Sequence, residues 1–262
     1  MTQNGRDAEA RQSIAALRRS HDELAALVGG LDAGDLDKQS GSSEWTVADV
    51  LSHLGSGAEI GYNTLATGKN DQAGAPAIWD RWNAMSPSEK ATNFVSWERR
   101  LVEALEALSD EDLATRKFDL GFVPQPVDVV FFAGLRLSEV GQHRWDVEVA
   151  FDPAATVAAY VVPFVLAQLP LFAGWFAKPT GATGRVAVTT VDPAGTYTLD
   201  VRKDGASLTD GTTADADTHL SLPGEAFMRL TGGRLAADHT PASLRIDGEL
   251  SLDDLRRLFP GY

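Results

Sequence analysis

Glu44-Trp45-Thr46-Val47-Ala48-Asp49-Val50-Leu51-Ser52-His53-Leu54 marks the start of a helix and says which way its side chains face. Thr46 and Asp49 have the spacing of a capping box, in which each side chain satisfies a backbone N–H that the first turn leaves open. Trp45 and Val50 flank them where a hydrophobic staple would close that turn. Downstream, Val50, His53, Gly57 and Ile60 fall on one stripe, so His53 should point inward with the apolar residues. The helix should run to about Gly68.

Working outward, Ile14, Leu17, Leu24 and Val28 recur at helical spacing with His21 on the same stripe, and Gly29-Gly30 stops them. Ser86-Pro87-Ser88-Glu89 predicts another capped helix, continuing through Phe94, Leu101 and Leu105. Leu113 to Pro126 reads as a loop. A fourth long helix should begin near Asp128, pass through Phe131, Phe132, Leu135, Leu137, Val140 and Trp145, and end by Asp152-Pro153. Four such helices predict a bundle.

Beyond it the pattern changes. Tyr160 to Ala177 is almost wholly apolar, but Pro163, Gln168 and Pro170 interrupt it, so it reads as a buried helix pair and not as a membrane span. Alternation then takes over at Arg185–Thr189 and Tyr197–Val201 around an Asp192-Pro193-Ala194-Gly195 turn, with a further turn at Lys203-Asp204-Gly205 leading into Ala206-Ser207-Leu208. Strands at Thr218–Leu222 and Ser243–Ile246 and helices at Pro223–Leu230 and Ser251–Phe259 complete the pattern. The predicted fold class is α+β in two domains, residues 1–151 and 152–262. The length of 262 residues agrees at about 100–200 residues per domain.

Composition removes whole classes of function. With 23 Lys plus Arg against 37 Asp plus Glu the net charge is −14, which repels nucleic-acid phosphates and anionic lipid. No cysteine is present, so a disulfide framework, a Cys-ligated zinc, an iron–sulfur cluster and a protein thiol nucleophile are all excluded. Any sulfur chemistry must use a thiol from outside. The opening Met1–Glu9 lacks the apolar core of a signal peptide, and a cytoplasmic location is the expectation. There is no phosphate-cradling Gly-rich loop, no Gly-x-Ser-x-Gly elbow and no His-Glu-x-x-His helix.

Glu139 and His143 lie four apart on the fourth helix and share a face. Together with inward-facing His53 they would form a three-ligand set that holds a divalent metal and leaves a coordination position open. The same spacing also suits a hydrogen-bonded core histidine and a solvated glutamate. Trp45 and Trp145 read as core, Asp49 as a cap partner, His21 as a buried polar residue, and His219 and His239 as residues of the strand domain.

The stretch Glu44–Leu54 resembles the Trp-Thr-Val-x-Asp-x-x-x-His-Leu signature of the mycothiol-dependent maleylpyruvate isomerase family, within the DinB-like four-helix metalloproteins. Glu139-Val140-Gly141-Gln142-His143-Arg144-Trp145-Asp146-Val147 resembles that family's Glu-x-x-x-His-x-x-Asp-Val helix. The second domain, with Leu220-Ser221-Leu222-Pro223, Arg229-Leu230-Thr231-Gly232-Gly233-Arg234 and Ile246-Asp247-Gly248, is similar to the family's sterol-carrier-like C-terminal domain. The resemblance implies that His53, Glu139 and His143 are metal ligands, that the metal is divalent and zinc-like, and that mycothiol is the thiol cofactor. It further implies thiolate addition to a maleyl double bond, rotation and elimination to the trans product. A mycothiol S-transferase that leaves a stable conjugate is an alternative, as is a non-catalytic protein that binds a small apolar ligand. The partners expected are a small electrophile and a low-molecular-weight thiol, with no nucleic acid and no membrane. Negative charge on a carbonyl or carboxylate suits an arginine fork, and Arg234 and Arg245 are the candidate catalytic residues.

Overall fold

The stripe of Ile14, Leu17, Leu24 and Val28 is buried along α1 (Gln3–Val28), with His21 buried among them. The structure, a computed structural model, describes residues 3–261. Met1 and Thr2, at the head of the segment read for a leader, lie outside the described residues, as does Tyr262. After the single-turn α2 (Ala33–Leu36), α3 (Val47–Thr67) begins as its sequence dictates. The Asp49 N–H donates to the Thr46 hydroxyl at 3.2 Å and the Thr46 N–H donates to the Asp49 carboxylate at 3.1 Å. Gly68 closes α3 at φ +77°, a left-handed cap that a side chain would resist.

Next comes α4 (Ala75–Asn83), a short helix that the apolar spacing does not announce. Ser86 caps α5 (Pro87–Glu106) through a capping box with Glu89. The predicted loop from Leu113 to Pro126 is corrected by the structure. It begins inside α6 (Asp110–Thr115), capped by Ser109, and a two-residue strand β1 (Lys117–Phe118) pairs with β2 (Val127–Asp128). Asp128 then caps α7 (Val129–Glu148) by accepting the Phe131 N–H at 3.0 Å. Helices α1, α3, α5 and α7 pack as a bundle around Leu17, Leu24, Leu51, Leu54, Phe94, Leu101, Leu137 and Val140, all of them fully buried.

The chain divides into two compact units, Met1–Asp152 and Pro153–Tyr262. The second starts with α8 (Val162–Phe176), one continuous helix where a helix pair was expected. Pro163 sits in its first turn, where a missing N–H leaves nothing unsatisfied, and Pro170 is accommodated inside it. Among the described residues no helix is long and apolar enough to cross a membrane. Strands β3 (Gly184–Val191), β4 (Gly195–Arg202), β5 (Gly205–Asp210), β6 (Thr218–Pro223) and β7 (Arg245–Gly248) form one sheet in the order β5-β4-β3-β6-β7. The β3–β6 pairing is parallel and the others are antiparallel, with Val188 opposite Tyr197 and Leu220 opposite Ile246. The last strand starts two residues later than its sequence suggests, because Pro241 to Leu244 form a turn. Helices α8 and α9 (Gly224–Thr231) pack on the sheet, and α10 (Leu252–Leu258) follows a capping box at Ser251.

Candidate metal centre

The helical period places His53 on α3 and Glu139 and His143 on α7, and the packing of these helices brings the three side chains together. One ligand atom from each lies within 4.8 Å of the others. His53 Nε2 is 3.1 Å from Glu139 Oε2, and His143 Nε2 is 3.7 Å from the same oxygen. Two ligands bound tetrahedrally at about 2.0–2.1 Å from a cation stand roughly 3.4 Å apart, so these separations suit a divalent ion shared between them.

The remaining contacts prepare the same site. His143 Nδ1 donates to Asp146 Oδ2 at 2.8 Å, and Asp146 is fully buried. That bond fixes the ring and turns its Nε2 toward Glu139. Burial works against ionisation of Glu139, but the hydrogen bond from His53 and the positive potential of His143, His53 and Arg136 outweigh it, lowering its pKa to about 2. The ring of Trp45 covers both imidazoles, stacked on His143 at 5.8 Å and tilted against His53 at 5.1 Å. His53 and Glu139 remain 41% and 39% exposed, against 10% for His143, so the cluster has an open side.

Behind the cluster, Arg136 and Glu98 form a buried ion pair between α7 and α5. The Arg136 guanidinium also donates to the Leu54 carbonyl of α3 at 2.7 Å. This arginine has partners for its charge, lies one turn before Glu139, and adds to the potential that keeps Glu139 ionised. The spacing argument missed Asp146, Arg136 and Glu98. Asp146 could have been found three residues after His143 on the same helix, whereas nothing in the sequence marks Glu98 as buried.

Other candidates fall elsewhere. Trp145 is core as expected, but Trp45 is only half-buried and borders the centre, because its ring is needed over the imidazoles. Asp49 is engaged in the Thr46 cap and accepts from Lys90 Nζ at 2.9 Å. His21 packs edge-on against Phe94, and burial pushes its imidazole pKa down. In the second unit His219 is exposed on β6 and His239 ends a short 3-10 turn. Arg234 follows α9, and its Nη1 donates to the Gly232 carbonyl at 2.7 Å. Arg245 starts β7, is exposed, and donates from Nη1 to the Ala242 and Leu244 carbonyls at 2.6 and 2.7 Å.

A helical unit that converges two imidazoles on one carboxylate, followed by an α+β unit with a five-stranded sheet, defines a class of bundle proteins with a His-Glu-His candidate metal centre. The chain belongs to the mycothiol-dependent maleylpyruvate isomerase family: the family model for the mycothiol maleylpyruvate isomerase N-terminal domain matches residues 17–148, half of the chain. Two relatives from Mycobacterium tuberculosis, Uncharacterized protein MT0763 and Uncharacterized protein Rv0738, are each 29% identical over 142 residues covering 52% of this chain. The match spans 66% of the length of these curated relatives. A crystal structure of the mycothiol-dependent maleylpyruvate isomerase aligns with a TM-score of 0.61 at 12% identity, covering 96% of this chain and 95% of that one. A histidine-to-alanine mutant of that enzyme aligns at 0.60 and 13% identity with the same coverage. At these identities the likeness is one of fold.

Proposed function

We propose that the chain is a cytoplasmic, mycothiol-dependent metalloenzyme that isomerises a cis, maleyl-type electrophile, with His53, Glu139 and His143 holding the metal. The observation that carries this reading is the convergence of those three side chains at an open site, in a family member without cysteine. A divalent metal bound there, zinc by its donor set, favours the thiolate form of an incoming thiol at neutral pH.

The chain's own groups do the rest. Asp146 keeps the Nδ1 proton of His143 and so presents its Nε2 as a ligand. Ionised Glu139 balances part of a dication's charge, and Trp45 keeps water from one face of the imidazoles. The reaction class is addition of the external thiol to a conjugated cis double bond, rotation about the new single bond, and elimination that returns both thiol and trans product. It consumes no oxidant or reductant. Arg234 and Arg245 are the proposed partners for the electrophile's carboxylates, because a guanidinium offers two parallel donors to such a group.

The test is elemental analysis of the purified protein, followed by assays with maleylpyruvate with and without mycothiol. One divalent ion per chain, lost in His53→Ala, and turnover only with thiol are expected. Turnover without thiol, or an undiminished metal content in His53→Ala, overturns the reading. A stable thioether in place of the trans product assigns the protein as an S-transferase.

A further inference from the structure

The two helices that bear the candidate ligands meet along a narrow seam. Helix α3 packs chiefly on α5 and α7 chiefly on α1, and the direct contact between α3 and α7 is the smaller one. The cleft that borders the centre does not bridge the seam: its lining, Trp45, Asp49, His53, Ser56, Trp79 and Asn83, comes wholly from the segment Trp45–Asn83. Yet a ligand set drawn from two helices keeps its spacing only if their relative position is fixed, because a slip of ~1 Å is large against a metal–nitrogen bond of about 2.0–2.1 Å.

Arg136 crosses the seam from α7. Its Nε and Nη2 both donate to the Glu98 carboxylate of α5, the first at 3.2 Å, and Nη2 also donates to the Leu54 carbonyl of α3 at 2.7 Å. Leu54 is the residue after His53, and Arg136 lies one turn before Glu139, so both ends of this link stand next to candidate ligands. The surface of α3 leaves room for the guanidinium at Gly57, where an added Cβ would stand 2.9 Å from Nη1. The Glu98 side chain is wholly buried and that of Arg136 is 9% exposed.

Stability alone does not account for this pair. Two buried charges lose their hydration, and apolar side chains of the same volume often hold a core as well or better. A cation beside a centre for a dication also opposes binding, and Glu98 offsets that by balancing the charge. What the pair adds over an apolar contact is direction: a rigid planar fork whose donors fix α7 against both α5 and α3.

We propose that Arg136, held by Glu98, is a positioning residue that sets the spacing of His53 on α3 against Glu139 and His143 on α7. The proposal rests on the metal-centre reading above. It gives α5, which carries none of the three candidate ligands, a part in the site.

The experiment compares the full chain with the double variant Glu98→Leu/Arg136→Met, which removes both charges together and leaves neither unpaired, and with Arg136→Lys, which keeps the charge without the fork. Three readouts are taken: melting of the metal-free protein, zinc affinity by competition with a chelator, and the visible ligand-field spectrum after loading with Co(II). The double variant should melt at or above the wild-type temperature, bind zinc about 10–100-fold more weakly and shift the cobalt bands. Arg136→Lys should show the same weakened binding. A folded double variant with the wild-type zinc affinity and cobalt spectrum overturns the proposal and leaves the enzyme reading intact. Wild-type affinity in Arg136→Lys assigns the effect to charge and overturns the positioning role. If the double variant does not fold, Gly57→Ala decides, because it keeps both charged residues and crowds Nη1: its zinc affinity should fall severalfold, and an unchanged value overturns the proposal. A wild-type chain that binds no zinc overturns the metal-centre reading and the positioning role together.

Discussion

The proposed role of His143 as a metal ligand depends on what its other nitrogen does. Asp146, fully buried and 2.8 Å away, holds the Nδ1 proton and fixes the ring. Asp146→Asn keeps the shape but replaces the carboxylate with an amide, and should weaken zinc binding by about 10–100-fold. Chelator competition at pH 7 measures this, and an unchanged affinity would remove Asp146 from the site. Glu139 makes a prediction about pH in the metal-free protein. Its folded pKa of about 2 lies below the ordinary 4.5, so its ionised form favours the folded state above pH 4.5, and that contribution is lost as the pH falls toward 2. Urea unfolding of wild type and Glu139→Gln should show wild type the more stable at pH 6, with the gap narrowing at pH 4 and closing near pH 2. A gap that widens on acidification would contradict the sign. That His53, Glu139 and His143 face inward was legible from helical spacing, while their assignment as ligands came from the family resemblance. Asp146 was not assigned a role because a carboxylate three residues on is equally at home in solvent, and Trp45 was read as core because a staple and an imidazole cover demand the same residue type.

Side-chain caps made two of the long helices readable, whereas the short α2 and α6 carry the same kind of cap without enough length to show a period. Thr46 and Ser86 each announce a helix through reciprocal bonds to a residue three positions later, and both helices begin where those residues stand. Helix α4 has no side-chain cap at Gly74 and spans only nine residues, while β1 and β2 have two residues each, too few to show a period. Yet α4 supplies a wall of the cleft, and what seats it is a gap in α3. A Cβ on Gly55 would lie 2.2–2.3 Å from two ring carbons of Trp82, which is fully buried and hydrogen-bonded to Glu59. Gly55→Ala should therefore displace α4, cost about 1–3 kcal/mol of stability by overpacking, and disturb the cleft. At Gly57 the same added carbon meets the end of the Arg136 side chain at 2.9 Å, so Gly57→Ala perturbs that guanidinium and leaves α4 in place. Denaturant melts of the two variants, paired with zinc titration, distinguish these effects. Equal behaviour would mean that Trp82 does not set the position of α4.

Across the whole molecule, the change from helical to alternating hydrophobicity after Asp152-Pro153 is the strongest long-range signal in the sequence. A helix buries a stripe of period 3.6 and a strand one face of period 2, so a lasting change of period marks a change of architecture. That signal does not reveal which sheet residues serve the chemistry: Arg234 and Arg245 are both held by local carbonyls, and either use is compatible with an arginine in a turn. All three proposed metal ligands, Asp146, the Arg136–Glu98 pair and the bundle core lie within Met1–Asp152. A chain ending at Asp152 should then fold cooperatively by circular dichroism and bind one zinc ion with the affinity of the full chain. It should also lose maleylpyruvate turnover, because the proposed carboxylate partners lie beyond that residue. Loss of folding or of zinc binding would show that the bundle depends on the second unit, and full turnover by the fragment would remove Arg234 and Arg245 from the reaction.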